Sequence, residues 1–229
     1  VYEAGDFAMV AVYLFDIHLS QLGYDCEMAK RFLVGVDEAG RGPLAGPVSA
    51  GVVKVPAGFN FKRHFPDARD SKVLSEAKRE AIYKRLVEFK KAGKLDFSVQ
   101  FSSAATIDKV GITKAVHLSI YKGIALLAPN PRGVRVLLDG LLHAPVGYAQ
   151  KTIIKGDALE PVISLASIAA KVERDWYMIK LAQTLTQYGF EKHKGYGTKL
   201  HQKNIKKYGL SKMHRVSFTK KLLYGAPAR

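Results

Sequence analysis

Apolar residues along this chain of 229 residues fall into short runs that stop on charge or on turn-forming residues. Phe32–Val36 is apolar and breaks at Asp37. Val48–Val55, rich in small and β-branched residues, stops at Pro56, and the two runs read as neighbouring strands. A polar loop carrying DARDSKVLSEAKRE follows, in which Ser75 is placed to cap a helix running to about Ala92, with Gly93 as its stop. Leu95–Phe101 alternates weakly and predicts a third strand. Ile107, Val110, Val116, Ile120 and Ile124 recur at helical spacing, so one helix is predicted over Ala104–Leu127, ended by Pro129 and Pro131. VRVLLDG at 134–140 and KTIIKGD at 151–157 read as buried strands closing on Asp139 and Asp157. Glu160–Gln187 predicts a long helix with Pro161 in its first turn, and a further helix is predicted around Lys199–Lys207. This order of elements predicts an α/β fold: a mixed five-stranded central sheet flanked by helices, with a C-terminal helical region.

Composition narrows the setting. The length suits one domain, and no repeat, low-complexity tract or linker divides it. Residues 1–30 read as an N-terminal extension, expected to be helical, residues 31–190 as the main domain, and 191–229 as a basic helical region packed on it. Cys26 is the only cysteine, which excludes an internal disulfide and a thiol-rich metal site and favours a reducing compartment. The apolar stretch Phe7–Phe15 is too short to span a bilayer and lacks the flanks of a signal peptide, so the expectation is a soluble, cytoplasmic protein.

Charge changes the picture more. The formal net charge is +16, and from Phe190 onward 11 Lys/Arg face one acid, Glu191, so 10 of the 16 excess positive charges lie in the last 40 residues. A basic end on a globular domain points to a polyanion, with nucleic acid ahead of a merely solubilising face.

The acids supply candidate chemistry. Asp37, Asp139 and Asp157 each follow an apolar run, and open α/β sheets gather ligands outside their strand ends. Each alone is a common turn former. Together with Glu38 they make four carboxylates beside glycine or a bend, a cluster that needs a cation, and an all-oxygen set suits Mg²⁺ or Mn²⁺. Asp37 and Glu38 are adjacent and would face opposite sides of a strand, so both reach one site only if the chain bends at Ala39-Gly40.

With these residues in view the chain resembles the ribonuclease HII family. The motifs run in order from Leu33 to Phe218: GVDEAGRGPLAGPV, DSKVLSEAKRE, LLDG, IIKGDA, SLASIAAKVERD, KHKGYGT and HRVSF. The resemblance implies a ribonuclease H-like fold over 31–190. It implies cleavage of RNA in RNA–DNA hybrids and incision 5′ to single ribonucleotides in duplex DNA, with two Mg²⁺ or Mn²⁺ ions. It implies Asp37, Glu38, Asp139 and Asp157 as catalytic metal ligands. Gly40, Arg41 and Gly42 would read the ribose 2′-hydroxyl, Tyr196 would pack on the following sugar, and Lys72 with Ser71 would contact backbone phosphate. Asp175 is expected to pair locally with the helical charges of its own motif, and His201 and His214 to be packed imidazoles or part of a basic face. Many members carry asparagine where this chain has Gly111, which is therefore left out of the site. No tail of the QxxLxxFF type is present, so docking to a sliding clamp through such a peptide is not expected, and the chain is read as a monomer. Two other readings stand beside this one: a broader nuclease of the same fold acting on DNA or junctions, which would have no use for a 2′-hydroxyl reader, and a non-catalytic duplex-binding module, which would have lost at least one of the acids.

Overall fold

The structure, a computed structural model, describes residues 31–68 and 73–224. The expected N-terminal helix in 1–30 and the phosphate contacts at Ser71 and Lys72 lie outside the described residues. Five strands form one sheet in the order β3-β2-β1-β4-β5: β1 Phe32–Ala39, β2 Val48–Pro56, β3 Asp96–Ser102, β4 Val134–Asp139 and β5 Ala149–Ile153. β2 pairs antiparallel with both β1 and β3, whereas β4 and β5 run parallel to β1. The helices are α1 Phe61–His64, α2 Glu76–Lys91, α3 Ala104–Val110, α4 Ile112–Leu127, α5 Gly156–Leu159, α6 Pro161–Ala182, α7 Phe190–His193, α8 Lys199–Tyr208 and α9 Val216–Tyr224.

Alternation along the strands sorts the core into two layers. Val34, Val36, Val48, Ala50, Val52, Val136 and Leu138 face α3 and α4. Leu33, Val53, Val55 and Leu137 face α2 and α6. α6 lies against β1 and β2 with almost no gap. A Cβ at Gly35 would stand 2.3 Å from the Val162 carbonyl oxygen, and one at Gly51 would stand 2.1 Å from that of Ala166. Glycine at these two positions lets the helix backbone set the depth of the strand that carries the acids.

Four expectations need correction. β1 does not break at Asp37 but stays paired with β2 through Ala39, and the bend comes at Gly40, whose φ is +89°. The predicted helix 104–127 is two helices meeting at 119°, because Gly111 has φ +82° and ψ 157°, a region open essentially to glycine alone. The last strand ends at Ile153, the chain turns left-handed at Lys155, and Asp157 sits in the first turn of α5 instead of ending a strand. α6 ends at Ala182, and Thr186–Tyr188 forms a separate 3₁₀ turn. The sequence pattern did locate α2, which Ser75 caps by accepting from the Lys78 amide. No single helix among the described residues is long and apolar enough to cross a membrane.

Candidate active site

Asp37 and Asp139 occupy the ends of neighbouring parallel strands. Val36 is in register with Leu138, so the next step puts the two aspartates side by side, both on the α6 face. Asp37 Oδ1 accepts from the Glu38 amide at 2.7 Å, and its carboxyl also bonds Ser167 of α6. Asp139 Oδ1 accepts from the Gly156 amide at 2.7 Å, which brings the start of α5, and with it buried Asp157, against the end of β4. Glu38 leaves β1 on the opposite face and pairs with Arg41 at 3.3 Å.

The electrostatics are those of crowded carboxylates. Burial raises Asp37 well above the usual carboxylate range, and the charges of Glu38 and Asp139 add to it. Burial likewise raises Glu38, with Asp139 adding and Arg41 opposing. Glu38 Oε2 is buried and has no hydrogen-bond partner. The second oxygen of Glu38 and the shared field of three acids suit a hard divalent cation, which would relieve both. As they stand, no three acid, histidine or cysteine side chains among the described residues close on one point tightly enough to hold an ion. One oxygen each of Asp37, Asp139 and Glu38 accepts from an amide, an amide and a guanidinium respectively, which leaves further lone pairs on each carboxylate for an ion.

The GRG segment emerges directly from this cluster. Residues 40–47 form a loop with Gly40 and Gly46 at positive φ, so its carbonyls need donors from elsewhere. Two arginines supply them, both with no exposed surface. Arg215 donates to Gly40 O at 2.7 Å, Arg41 O at 2.8 Å and Gly46 O at 3.0 Å. Arg174 of α6 donates to Pro47 O at 2.9 Å and Ala45 O at 3.3 Å. Among the described residues neither arginine forms a salt bridge. Burial, then the neighbouring Arg174 charge, lowers Arg215 to about 9, and burial also lowers Arg174. Sequence reasoning missed this clamp. The only hint was that both arginines fall inside motifs, VERD and HRVSF.

The C-terminal region completes the surface. Leu44 and Ala45 amides donate to Gly195 O, the Gly46 amide donates to Met213 O, and the Arg215 amide donates to Leu44 O. Tyr196 is thereby set beside the GRG loop and is 43% exposed. A Cβ on Gly42 would lie only 3.9 Å from its ring, and the Arg174 guanidinium is 5.9 Å from the ring centre. Asp175 pairs with Lys171 at 2.6 Å, the local pairing the sequence suggested. His201 and His214 are buried, as packed imidazoles should be.

A sheet ordered 3-2-1-4-5 with helices on both faces, its adjacent parallel strands carrying Asp37 and Asp139, is the ribonuclease H-like fold. A family model described as ribonuclease HII matches residues 34–221. Ribonuclease HII of Caldicellulosiruptor bescii is 42% identical over 193 residues, 84% of this chain and 89% of that protein. The ribonuclease HII solved in the PCNA complex from Archaeoglobus fulgidus superposes with a TM-score of 0.67 at 22% identity, covering 85% of this chain and 98% of that one. Bst ribonuclease HIII, solved in complex with Mn²⁺, gives a TM-score of 0.62 at 16% identity over 89% of this chain and 72% of that one. The chain belongs to the ribonuclease HII family and is a hydrolase, an endoribonuclease of ribonuclease H type 2.

Proposed function

We propose that the protein hydrolyses RNA in RNA–DNA hybrids and incises duplex DNA on the 5′ side of single embedded ribonucleotides, leaving 5′-phosphate and 3′-hydroxyl ends. The observation that carries this reading is the direct succession, along one strand and its exit, of the acids Asp37 and Glu38 and the clamped GRG loop facing Tyr196. Asp37, Glu38, Asp139 and Asp157 would hold Mg²⁺ or Mn²⁺, and the Mn²⁺ complex of the fold relative Bst ribonuclease HIII supports a divalent cation of this kind. Bound in a pair, such ions supply an activated water for in-line attack and charge stabilisation on the leaving 3′ oxygen. In the balance of the step, the water oxygen forms the new bond to phosphorus, the phosphorus–O3′ bond breaks, and a proton ends on O3′.

The chain's own residues do the rest. Arg215 holds the Gly40 and Arg41 carbonyls from behind and so fixes which way those peptide planes face. Gly40, Arg41 and Gly42 would then read the ribose 2′-hydroxyl, a group that both donates and accepts. Tyr196 would pack on the next sugar, with Ser71 and Lys72 on the backbone phosphates. The basic C-terminal region would supply the sequence-independent attraction to duplex, in a monomer working in the cytoplasm on ribonucleotides and RNA primers left by replication.

The test is a duplex DNA carrying one ribonucleotide, incubated with and without Mg²⁺. A nick 5′ to the ribose that needs the metal is expected. Binding without any such nick would overturn the proposal.

A further inference from the structure

Three buried imidazoles lie behind Tyr196, outside the chemistry above, and their hydrogen bonds assign each proton. His201 Nδ1 lies 2.9 Å from the Tyr196 carbonyl oxygen, which can only accept, so Nδ1 carries the hydrogen. His201 Nε2 lies 3.1 Å from His214 Nε2. His214 Nδ1 takes the Ser211 amide hydrogen at 2.9 Å, so it is an acceptor, and the hydrogen of His214 sits on Nε2, pointing at His201. Ser211 Oγ stands 2.9 Å from the same Nδ1. The result is a single directed chain with every ring neutral: Ser211 N–H to His214, His214 N–H to His201, His201 N–H to Tyr196 C=O. Burial holds both rings down at about 4, so the chain stays intact at neutral pH. His193 stacks on His201 with ring centres 4.4 Å apart and is also neutral in its contacts, Nε2 facing Tyr188 O and Nδ1 accepting from the Gly195 amide. Tyr188 and Phe190 pack the remaining sides of the rings.

The two ends of this chain reach the two halves of the surface proposed to read substrate. At one end the ring of His201 holds the backbone of Tyr196. At the other, His214 is bridged to Ala45 of the GRG loop, and its neighbour Arg215 clamps Gly40 and Arg41. We propose that His201 and His214 are positioning residues for substrate discrimination: their directed hydrogen-bond chain sets Tyr196 in register with the GRG loop, and so governs the preference for a ribonucleotide followed by DNA. This rests on Tyr196 being a reader of that junction.

The test compares kcat/KM with Mg²⁺ on two duplexes of equal length, one with a single ribonucleotide and one a uniform RNA–DNA hybrid, for the full chain and for His214→Leu, His214→Gln, Tyr196→Ala and the double variant His214→Leu/Tyr196→Ala. His214→Leu should lower the single-ribonucleotide to hybrid ratio by about tenfold. His214→Gln, whose amide can donate where Nε2–H does, should recover most of it, and the double variant should match Tyr196→Ala. Loss on both substrates equally with His214→Leu, while Tyr196→Ala still shifts the ratio, would reduce the histidines to core packing and overturn the proposal. An unchanged ratio in Tyr196→Ala itself would instead sink the reading of Tyr196, and the proposal with it. Imidazole ¹⁵N spectra of the unaltered protein give a check independent of any variant's folding. They should show His201 protonated on Nδ1 and His214 on Nε2, and the opposite tautomers would overturn the directed chain.

Discussion

Replacing Arg215 by lysine preserves the charge and should still be among the more damaging changes available. The guanidinium, on a side chain with no exposed surface, satisfies three carbonyls, of Gly40, Arg41 and Gly46. An ammonium on a flexible stem cannot span that fan, so at least one or two carbonyls lose their donor, at about 1–3 kcal/mol each. The unfavourable part remains, because lysine keeps a buried cation beside Arg174. Arg215→Met loses all three bonds but also sheds the buried charge. The two changes should therefore cost similar amounts, about 2–4 kcal/mol, with lysine no better than methionine. Urea unfolding of the metal-free protein measures this directly. Lysine within about 0.5 kcal/mol of the unaltered protein would show that the fork geometry is not used, and would refute the clamp.

Three further outcomes are expected. Asp37→Asn should abolish cleavage yet raise the urea midpoint of the metal-free protein, since burial and the charges of Glu38 and Asp139 oppose the ionised carboxylate; a lower midpoint would mean its bonds to Ser167 and the Glu38 amide outweigh that repulsion. His201 and His214 titrate at about 4 when folded, against 6.5 ordinarily, so the unfolded chain takes up more protons between those values. Stability should be full above pH 6.5 and fall as pH drops to 4, by about 2 kcal/mol for each ring after solvent screening, and a flat profile in denaturant titrations across that window would contradict the neutral pair. Gly111→Asn should lower stability by about 1–3 kcal/mol although nothing within 4 Å obstructs a side chain there, because the cost is backbone strain; an unchanged melting midpoint would show that the bend relaxes.

Element order and the positions of the acids were legible because both are written locally. Apolar runs, Ser75, Gly93 and the prolines mark where elements start and stop, and a carboxylate at the end of such a run is visible without knowing its neighbours. What escaped was decided by tertiary contact or by backbone conformation. Periodicity carries through Gly111 undisturbed, so the 119° bend is invisible until φ is known. Asp157 looked like a strand end because it closely follows the apolar pair Ile153-Ile154, whereas the sheet pairing stops at Ile153. The arginine clamp was least legible of all. Arg174 and Arg215 are ordinary basic residues in sequence, and only a loop whose carbonyls lack strand or helix partners gives them work.

The Arg215 half of that clamp joins residues 169 to 175 positions apart. During synthesis at 5–20 residues per second, the segment at 40–47 would wait roughly 9–35 s for its donor to be made. The central strands and the acids on them can pair long before then. A nascent chain would thus carry the acids proposed to cut before the loop proposed to choose where to cut is held in place, and selectivity would be acquired after the cutting residues are set.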